Sequence, residues 1–177
     1  MSYSAPPGGP PDHFFITAQG RNGFGELSIG LGGSTLVSQA WATANLALFV
    51  PFGISGRRTY VRAAVANAAT INGNFDIGVY NLTGNRLFST GTTAHAGASA
   101  MQKITINWTL DPGLYYLAMS CSSATATFIG DPPNSTATRS AGMKQMASAF
   151  VLPATATLAA NSTSRMPLFG IFEKTWL

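Results

Sequence analysis

The sequence predicts an all-β fold, a single antiparallel β-sandwich of jelly-roll type with an extended N-terminal arm. The chain has 177 residues, about the size of one domain. From Leu46 to Cys121, short runs rich in β-branched and aromatic residues alternate with turn signals such as SG, NG, TGN and DPG. Regularly spaced strands of this kind are typical of antiparallel sandwiches and barrels. We expect an arm over residues 1–20 and a sandwich domain over residues 21–177.

The composition limits the partners that the protein can have. Charged residues make up 9% of the chain, against about 25% in typical soluble domains. A surface with so few charges is poorly protected against self-association, so we expect a homo-oligomer. Ten basic residues in all are too few for a nucleic-acid surface, and no apolar run approaches the roughly 20 residues needed to span a bilayer. The sequence therefore predicts neither nucleic-acid binding nor membrane insertion.

The N-terminal arm is rich in proline and glycine, which exclude the interior of a helix or sheet. It lacks a basic segment followed by an apolar one, so we expect no signal peptide and synthesis in the cytoplasm. Three apolar residues follow the proline-rich stretch: Phe14, Phe15 and Ile16. An apolar cluster on an extended arm usually marks a contact, so these residues are the predicted assembly contact.

The first candidate surface lies on the strand that starts near residue 58. In an extended strand, Arg58, Tyr60 and Arg62 share one face. Basic side chains beside an aromatic ring can bind nucleic acid or an acidic glycan. A solvated strand face or a subunit contact is the other interpretation.

The stretch NFDIGVYNLTGNRLFSTG, residues 74–91, predicts a β-hairpin. Phe75, Ile77 and Val79 point to one face and are expected in the core. Asp76 and Tyr80 point to the other face, where we expect them to be exposed and able to bind a neighbouring strand, a partner or a sugar.

The next runs predict two further strands. MQKITINWTL alternates, with Ile104, Ile106 and Trp108 on one face. GLYYLAMSC, which ends at Cys121, is apolar on both faces, so it is either central in the sheet or faces a partner chain. Cys121 is the single cysteine, so no internal disulfide is possible, and we expect it to be buried as a small apolar residue.

The remainder of the chain gives weaker signals. SAGMKQMASAF is the best helical candidate because Met143, Met146 and Phe150 have helical spacing. The apolar C-terminal run MPLFGIF is expected to return into the sheet beside LALFVPF, residues 46–52.

The ionisable residues do not suggest catalysis. The chain has six carboxylates, and Asp111 and Asp131 both precede proline in turn signals. A glycosidase needs two carboxylates at one cleft, and nothing in the sequence pairs them. His13, His95 and Cys121 are too scattered for a zinc site, and His95 lies among small residues where we expect a solvated loop. We therefore expect no enzyme activity, no metal and no cofactor.

Several motifs resemble small structural proteins encoded by tailed bacteriophages and prophages. The pieces that carry the resemblance are VPF, NGNFDIGVY, PGLYYLA and the PATAT and PLFG segments, within residues 47–172. These motifs belong to the fold, and no active site is implied. The resemblance implies a virion component that is made in the host cytoplasm and is in contact with other virion proteins.

Two placements on the particle are compatible with this resemblance. As a fibre, spike or adhesin component, the sandwich would bind host cell-surface glycan, through exposed aromatics such as Tyr60 or Tyr80. As a capsid decoration (cement) protein, it would clamp neighbouring capsid subunits through its arm and C-terminal tail. By analogy with projecting phage proteins, a trimer is the favoured oligomer.

Overall fold

The computed structural model describes residues 25–27, 36–131, 138–139 and 141–173, the first of these ranges by its backbone alone. Every pairing between the described strands is antiparallel. The predicted all-β antiparallel fold is therefore confirmed. The described strands are β1 (Gly25–Leu27), β2 (Val37–Ala40), β3 (Ala47–Ile54), β4 (Arg58–Ala66), β5 (Asn74–Asn81), β6 (Arg86–Ser89), β7 (Thr93–Ala94), β8 (Met101–Leu110), β9 (Gly113–Cys121), β10 (Thr127–Asp131), β11 (Lys144–Met146), β12 (Ala159–Ala160), β13 (Met166–Pro167) and β14 (Phe169–Phe172).

Eight of these strands have the strand order of a jelly roll. One sheet, which we call sheet A, has the order β1-β14-β4-β8, and the opposite sheet, sheet C, contains the order β3-β9-β5-β6. Each sheet therefore interleaves strands from the first and second halves of the chain, as two Greek keys wound together require. Strands β11 and β12 extend sheet C beyond β3, and a small third sheet has the order β13-β10-β2.

The main core lies between sheets A and C. The inward residues of the predicted hairpin, Phe75, Ile77 and Val79, are fully buried in it, as is Cys121. These four predictions are confirmed. Sheet A contributes residues such as Tyr60 and Ile171 to the same core.

Strand β9 has the central position that its two-sided apolar pattern allowed. It pairs with β3 on one side and β5 on the other. Leu117 and Met119 face the main core, while Ala118 belongs to a second apolar cluster on the outer face of sheet C. Most of this strand is therefore covered within the same chain.

Two predictions about the C-terminal third are wrong. The segment expected to be helical contains β11, which pairs with β3. Its Met143 lies in the main core and Met146 packs on the outer cluster, so the helical spacing does not reflect one buried face. The C-terminal run does return into a sheet, but β14 pairs with β4 and β1 in sheet A and not with β3.

The connections divide the sandwich into two unlike ends. At one end, which we call the short-turn end, residues 55–57, 82–85 and 111–112 join successive strands. At the opposite end, the long-loop end, the chain passes between sheets through longer connections, including residues 67–73 and 90–100. Long loops on a rigid scaffold often carry the binding or catalytic residues of a protein.

Candidate functional site

Asp76 and Tyr80 are both completely buried, so the prediction that they are exposed is wrong. They do lie on the outer face of sheet C, as their alternation indicated. That face is covered by residues 149–156, which we call the strap. Ala149, Leu152 and Ala156 of the strap pack against Phe49 and Tyr80 in the second apolar cluster.

Asp76 accepts hydrogen bonds both from the β5–β6 hairpin region of the sheet and from the strap that covers it. Ser89 Oγ donates to it at 2.8 Å and Thr90 Oγ1 at 3.1 Å. The amide nitrogen of Leu152 in the strap donates at 3.1 Å. Burial raises the pKa of the Asp76 carboxyl above its ordinary value, against the opposing effect of these hydrogen bonds and of the Arg86 charge.

Tyr80 and Arg86 attach the strap at two further points. The Tyr80 hydroxyl donates to the carbonyl oxygen of Pro153 at 2.6 Å, and its ring packs edge-on against Phe49 at 5.1 Å. The Arg86 guanidinium donates to the carbonyl of Leu152, while its backbone nitrogen donates to Ala154 at 2.8 Å. These contacts give Asp76, Tyr80 and Arg86 a structural role, since each is used to hold the strap on the sheet.

The second predicted face, formed by Arg58, Tyr60 and Arg62, is divided by a break in the strand register. The pairing of β4 with β8 shifts between Tyr60 and Arg62. Tyr60 is fully buried in the main core together with Ala63, which places Arg62 on the opposite face of the strand. The predicted shared face is therefore wrong for Tyr60 and Arg62.

The two arginines of that set have separate partners. Arg58 Nη1 lies 3.0 Å from the Glu173 carboxylate in a half-buried ion pair. Arg62 Nη1 donates to Thr105 Oγ1 at 2.8 Å on the outer face of sheet A. Of the three predicted residues, Arg62 is therefore the one that contributes to the polar outer face of sheet A.

Strand β8 continues this polar surface. Lys103, Thr105 and Asn107 alternate along it and are exposed, while the residues between them face the core. Thr59 and Thr109 extend the surface with a hydroxyl pair 2.9 Å apart. We call Arg62, Lys103, Thr105 and Asn107 the polar face.

Two exposed leucines lie at the short-turn end of sheet C. Leu114 is 64% exposed and Leu82 is 51% exposed, the largest values among the large apolar residues of the described chain. The last paired residues of β5 and β9 are Asn81 and Tyr115. Leu82 directly follows Asn81 in the chain, and Leu114 directly precedes Tyr115. Gly53 pairs with Leu114, and a side chain at Gly53 would meet the Leu114 methyl at 3.0 Å. We call Gly53, Leu82 and Leu114 the apolar platform.

His95 is also buried, with 5% of its surface exposed, so the prediction of a solvated loop histidine is wrong. Its ring stacks on Phe128, with the two ring centres 4.6 Å apart. Small residues on either side of His95 in the sequence gave no indication of this packing, because Phe128 is distant in the chain.

The remaining predicted site residues, Phe14, Phe15 and Ile16, lie outside the described residues, as does the predicted arm over residues 1–20. Within the described ranges, no group of three or more His, Cys, Asp or Glu side chains is arranged to hold a metal ion. Nor does the described part of the chain include a helix long and apolar enough to cross a membrane.

Comparison of the chain with protein-family models, with curated proteins and with solved structures found no match. The functional conclusion therefore depends on the geometry of the molecule and on the motifs of its sequence.

Proposed function

We propose that the protein is a non-enzymatic structural component of a phage virion, exposed on the particle and attached through contacts with other virion proteins. The observation that carries this proposal is the apolar platform. Leu114 and Leu82 are 64% and 51% exposed, more than any other large apolar residue of the described chain, and both lie at one end of a sheet. Exposed apolar side chains grouped in this way often mark protein contacts.

Three carboxylates of the described residues support a structural role, whereas a fourth, Asp131, has a buried Oδ1 without a hydrogen-bond partner. Asp76 is enclosed under the strap and hydrogen-bonded by Ser89, Thr90 and Leu152. Asp111 lies in a turn beside Arg57, and Glu173 is paired with Arg58. Asp76, Asp111 and Glu173 therefore each have a partner that explains the acid without catalysis.

The fold is compatible with the proposal by analogy. Jelly rolls occur in viral capsid proteins and in lectins, among many other proteins. A fold does not determine a function, so this analogy supports the proposal without carrying it. The low charge of the chain is consistent with a surface that is partly covered by subunits of a homo-oligomer, for which a trimer is the favoured form.

The test replaces the platform leucines and follows the protein into particles. We expect Leu82→Ser with Leu114→Ser to fold normally, because both side chains are mostly in water, and to enter particles at reduced occupancy. Mass spectrometry of gradient-purified particles measures that occupancy against the major capsid protein. Leu36→Ser is the matched control, since Leu36 is a 39% exposed leucine elsewhere on the molecule. Wild-type occupancy of the double variant would refute attachment through the platform.

Host glycan binding, as a fibre or adhesin component, is a second candidate that the polar face favours. The aromatics first expected to contact a sugar, Tyr60 and Tyr80, are buried, so they do not support this role. Lys103, Thr105 and Asn107 instead offer exposed amine, hydroxyl and amide groups along one strand. Purified protein should then bind host envelope, and Lys103→Ala with Asn107→Ala should abolish binding while Arg57→Ala does not. Equal binding by all three proteins would exclude the polar face.

A further inference from the structure

His95 lies where the four connections of the long-loop end meet. It belongs to the connection between β6 and β8, and its ring stacks on Phe128 of β10, in the connection between β9 and β14. Trp41, from the connection between β1 and β3, packs edge-on against Phe128 at 5.6 Å. Asn72 of the β4–β5 connection lies beside the imidazole. The packing around the His95 and Phe128 rings therefore joins residues from all four connections.

The hydrogen bonds of the imidazole leave one nitrogen without a partner. Nδ1 lies 3.3 Å from both the backbone nitrogen and the carbonyl oxygen of Asn72. Nε2 is buried and makes no hydrogen bond in the described structure. The Phe75 ring packs at nearly a right angle to the imidazole, with 6.2 Å between the ring centres.

The loop that carries His95, residues 94–100, is otherwise held by neutral amides. Asn67 Nδ2 donates to the carbonyls of Ala96 at 2.6 Å and Gly97 at 3.2 Å. Gln102 accepts a hydrogen bond from the Ala96 amide at 2.9 Å and donates to the carbonyl of Ala94 at 2.7 Å. None of these contacts changes charge between pH 5 and 8.

No charged side chain of the described elements around His95 faces it. On β5, Asp76 lies on the opposite side of the sheet from Phe75, under the strap. On β8, Lys103 is exposed on the outer face, and on β10, Asp131 stands at the far end of the strand from Thr127. Without a counter-ion, burial lowers the pKa of His95 below its ordinary value of 6.5.

We propose that His95 is an acid-sensitive latch, which holds loop 94–100 against the long-loop end at neutral pH and releases it when the ring is protonated. Protonation places a charge among Phe75, Phe128 and neutral amides, and both ring nitrogens become donors in a site that offers Nε2 no acceptor. Release would uncover Phe128 and Phe75, and so create an apolar surface at that end which is absent at neutral pH.

The sign of the pH dependence follows from linkage. The released loop titrates at the ordinary value and the closed loop at a lower one, so closure is complete above about pH 6.5 and weakens as the pH falls. The equilibrium for opening rises about tenfold for each unit by which closure lowers the pKa. It stops rising below the pKa of the closed form.

The experiment compares two independent measurements on the same protein. The chain has two histidines, His13 and His95, so the His13→Gln variant has a single imidazole whose pKa can be followed by NMR. Hydrogen exchange, corrected for the intrinsic effect of pH, reports the opening of loop 94–100 between pH 7.5 and pH 4.5. We expect a His95 pKa below 6.5. As the pH falls, the opening equilibrium of loop 94–100 should rise toward a limit of about tenfold for each unit by which this pKa lies below 6.5. The core amides of β3 and β9 should keep their protection.

Control variants separate the latch from a general effect of acid. His95→Phe keeps an aromatic ring in the site and should make the exchange of loop 94–100 independent of pH, whereas His13→Gln should leave the dependence unchanged. If His95→Phe does not fold, the wild-type comparison still decides. A His95 pKa at or above 6.5, or unchanged protection of the loop at pH 4.5, would overturn the proposal. Equal loss of protection throughout the core would do so as well, because the opening would then be global.

Discussion

Asp76 is a buried carboxylate whose hydrogen-bond donors come from two distant parts of the chain. Ser89 and Thr90 follow it in the same hairpin, whereas the Leu152 amide belongs to the strap, 76 residues away. Asp76 therefore stabilises the fold by attaching the strap to the hairpin. Without the carboxylate, the buried Leu152 amide would have no acceptor and no access to water.

We expect Asp76→Ala to lower the free energy of unfolding by about 1–3 kcal/mol, the usual cost of leaving a buried donor without an acceptor. Asp76→Asn keeps one oxygen for the Leu152 amide and should lose less. Urea unfolding measures both. Asp111→Asn, whose side chain is 78% exposed, is the control and should stay within about 0.5 kcal/mol of wild type. An Asp76→Ala protein as stable as wild type would contradict the role given to this residue.

The pKa of Asp76 adds a pH dependence to that comparison. Because burial raises the folded pKa above the unfolded value of 3.8, the unfolded chain ionises first as the pH rises. The free energy of unfolding of wild type therefore falls as the pH increases through the folded pKa of Asp76. The Asp76→Asn variant has no group that titrates at this position and shows no such fall. The stability advantage of wild type over Asp76→Asn should narrow from pH 3.5 to pH 7. An advantage that widens over this range would mean that the hydrogen bonds outweigh burial.

The strap is the element on which the outer face of sheet C depends. It is fixed to the β5–β6 hairpin by Tyr80, by Arg86 and by a backbone bond from Ala156 to the carbonyl of Gly84 at 2.7 Å. Gly84 has a left-handed backbone, with φ of +85°, and a side chain there would collide with the Ala156 carbonyl. The hairpin turn and the strap are therefore fitted to each other.

A pair of glycine substitutions tests this fit. Gly84→Ala carries both the strain of a positive φ and the collision with the strap. Gly91→Ala carries the strain alone, since Gly91 has φ of +69° and a methyl group at that position would meet no atom within 4 Å. We expect Gly91→Ala to cost about 1 kcal/mol. Gly84→Ala should cost more and should expose residues 149–156 to limited proteolysis.

The reverse order of stability, or a strap that is equally protected in both variants, would show that the turn does not support the strap. The comparison needs no assumption about function, because both substitutions lie in connections between strands and both replace a glycine with a positive φ.

The strands could be predicted from the sequence because their signal is local. Alternation with a period of two placed Phe75, Ile77 and Val79 in the core, and the turn residues between them and β6 identified the hairpin. The jelly-roll type was also correct, although the position of β14 in sheet A and not beside β3 was not. Pairing between distant strands has no comparable local signal.

The errors at the candidate sites have the same physical origin. Alternation assigned Asp76 and Tyr80 to the outer face correctly, but it could not show that a strap more than 70 residues away covers them. Burial of His95 likewise depends on Phe128 from a later strand. Between Tyr60 and Arg62, the register shift in β4 places the two side chains on opposite faces of the strand. No glycine or proline in this part of the sequence indicates the shift.

At the scale of the whole molecule, the jelly roll separates two kinds of surface. The short-turn end carries the apolar platform of Gly53, Leu82 and Leu114, which we propose as a permanent contact in the particle. The long-loop end carries His95 and the loops joined around it, which we propose as a region that responds to acid. If both proposals hold, one end of the sandwich is fixed in the particle while the other responds to pH.

The most direct test of the proposed virion role is cryo-electron microscopy of purified particles of a phage or prophage whose genome is found to carry this sequence. We predict density for a jelly roll of this size on the particle surface, with the end that carries Leu82 and Leu114 against another virion protein or a second copy. Particles assembled with the Leu82→Ser and Leu114→Ser variant should show weaker density at the same place. Complete particles without such density, or a jelly roll whose platform faces solvent, would contradict the account.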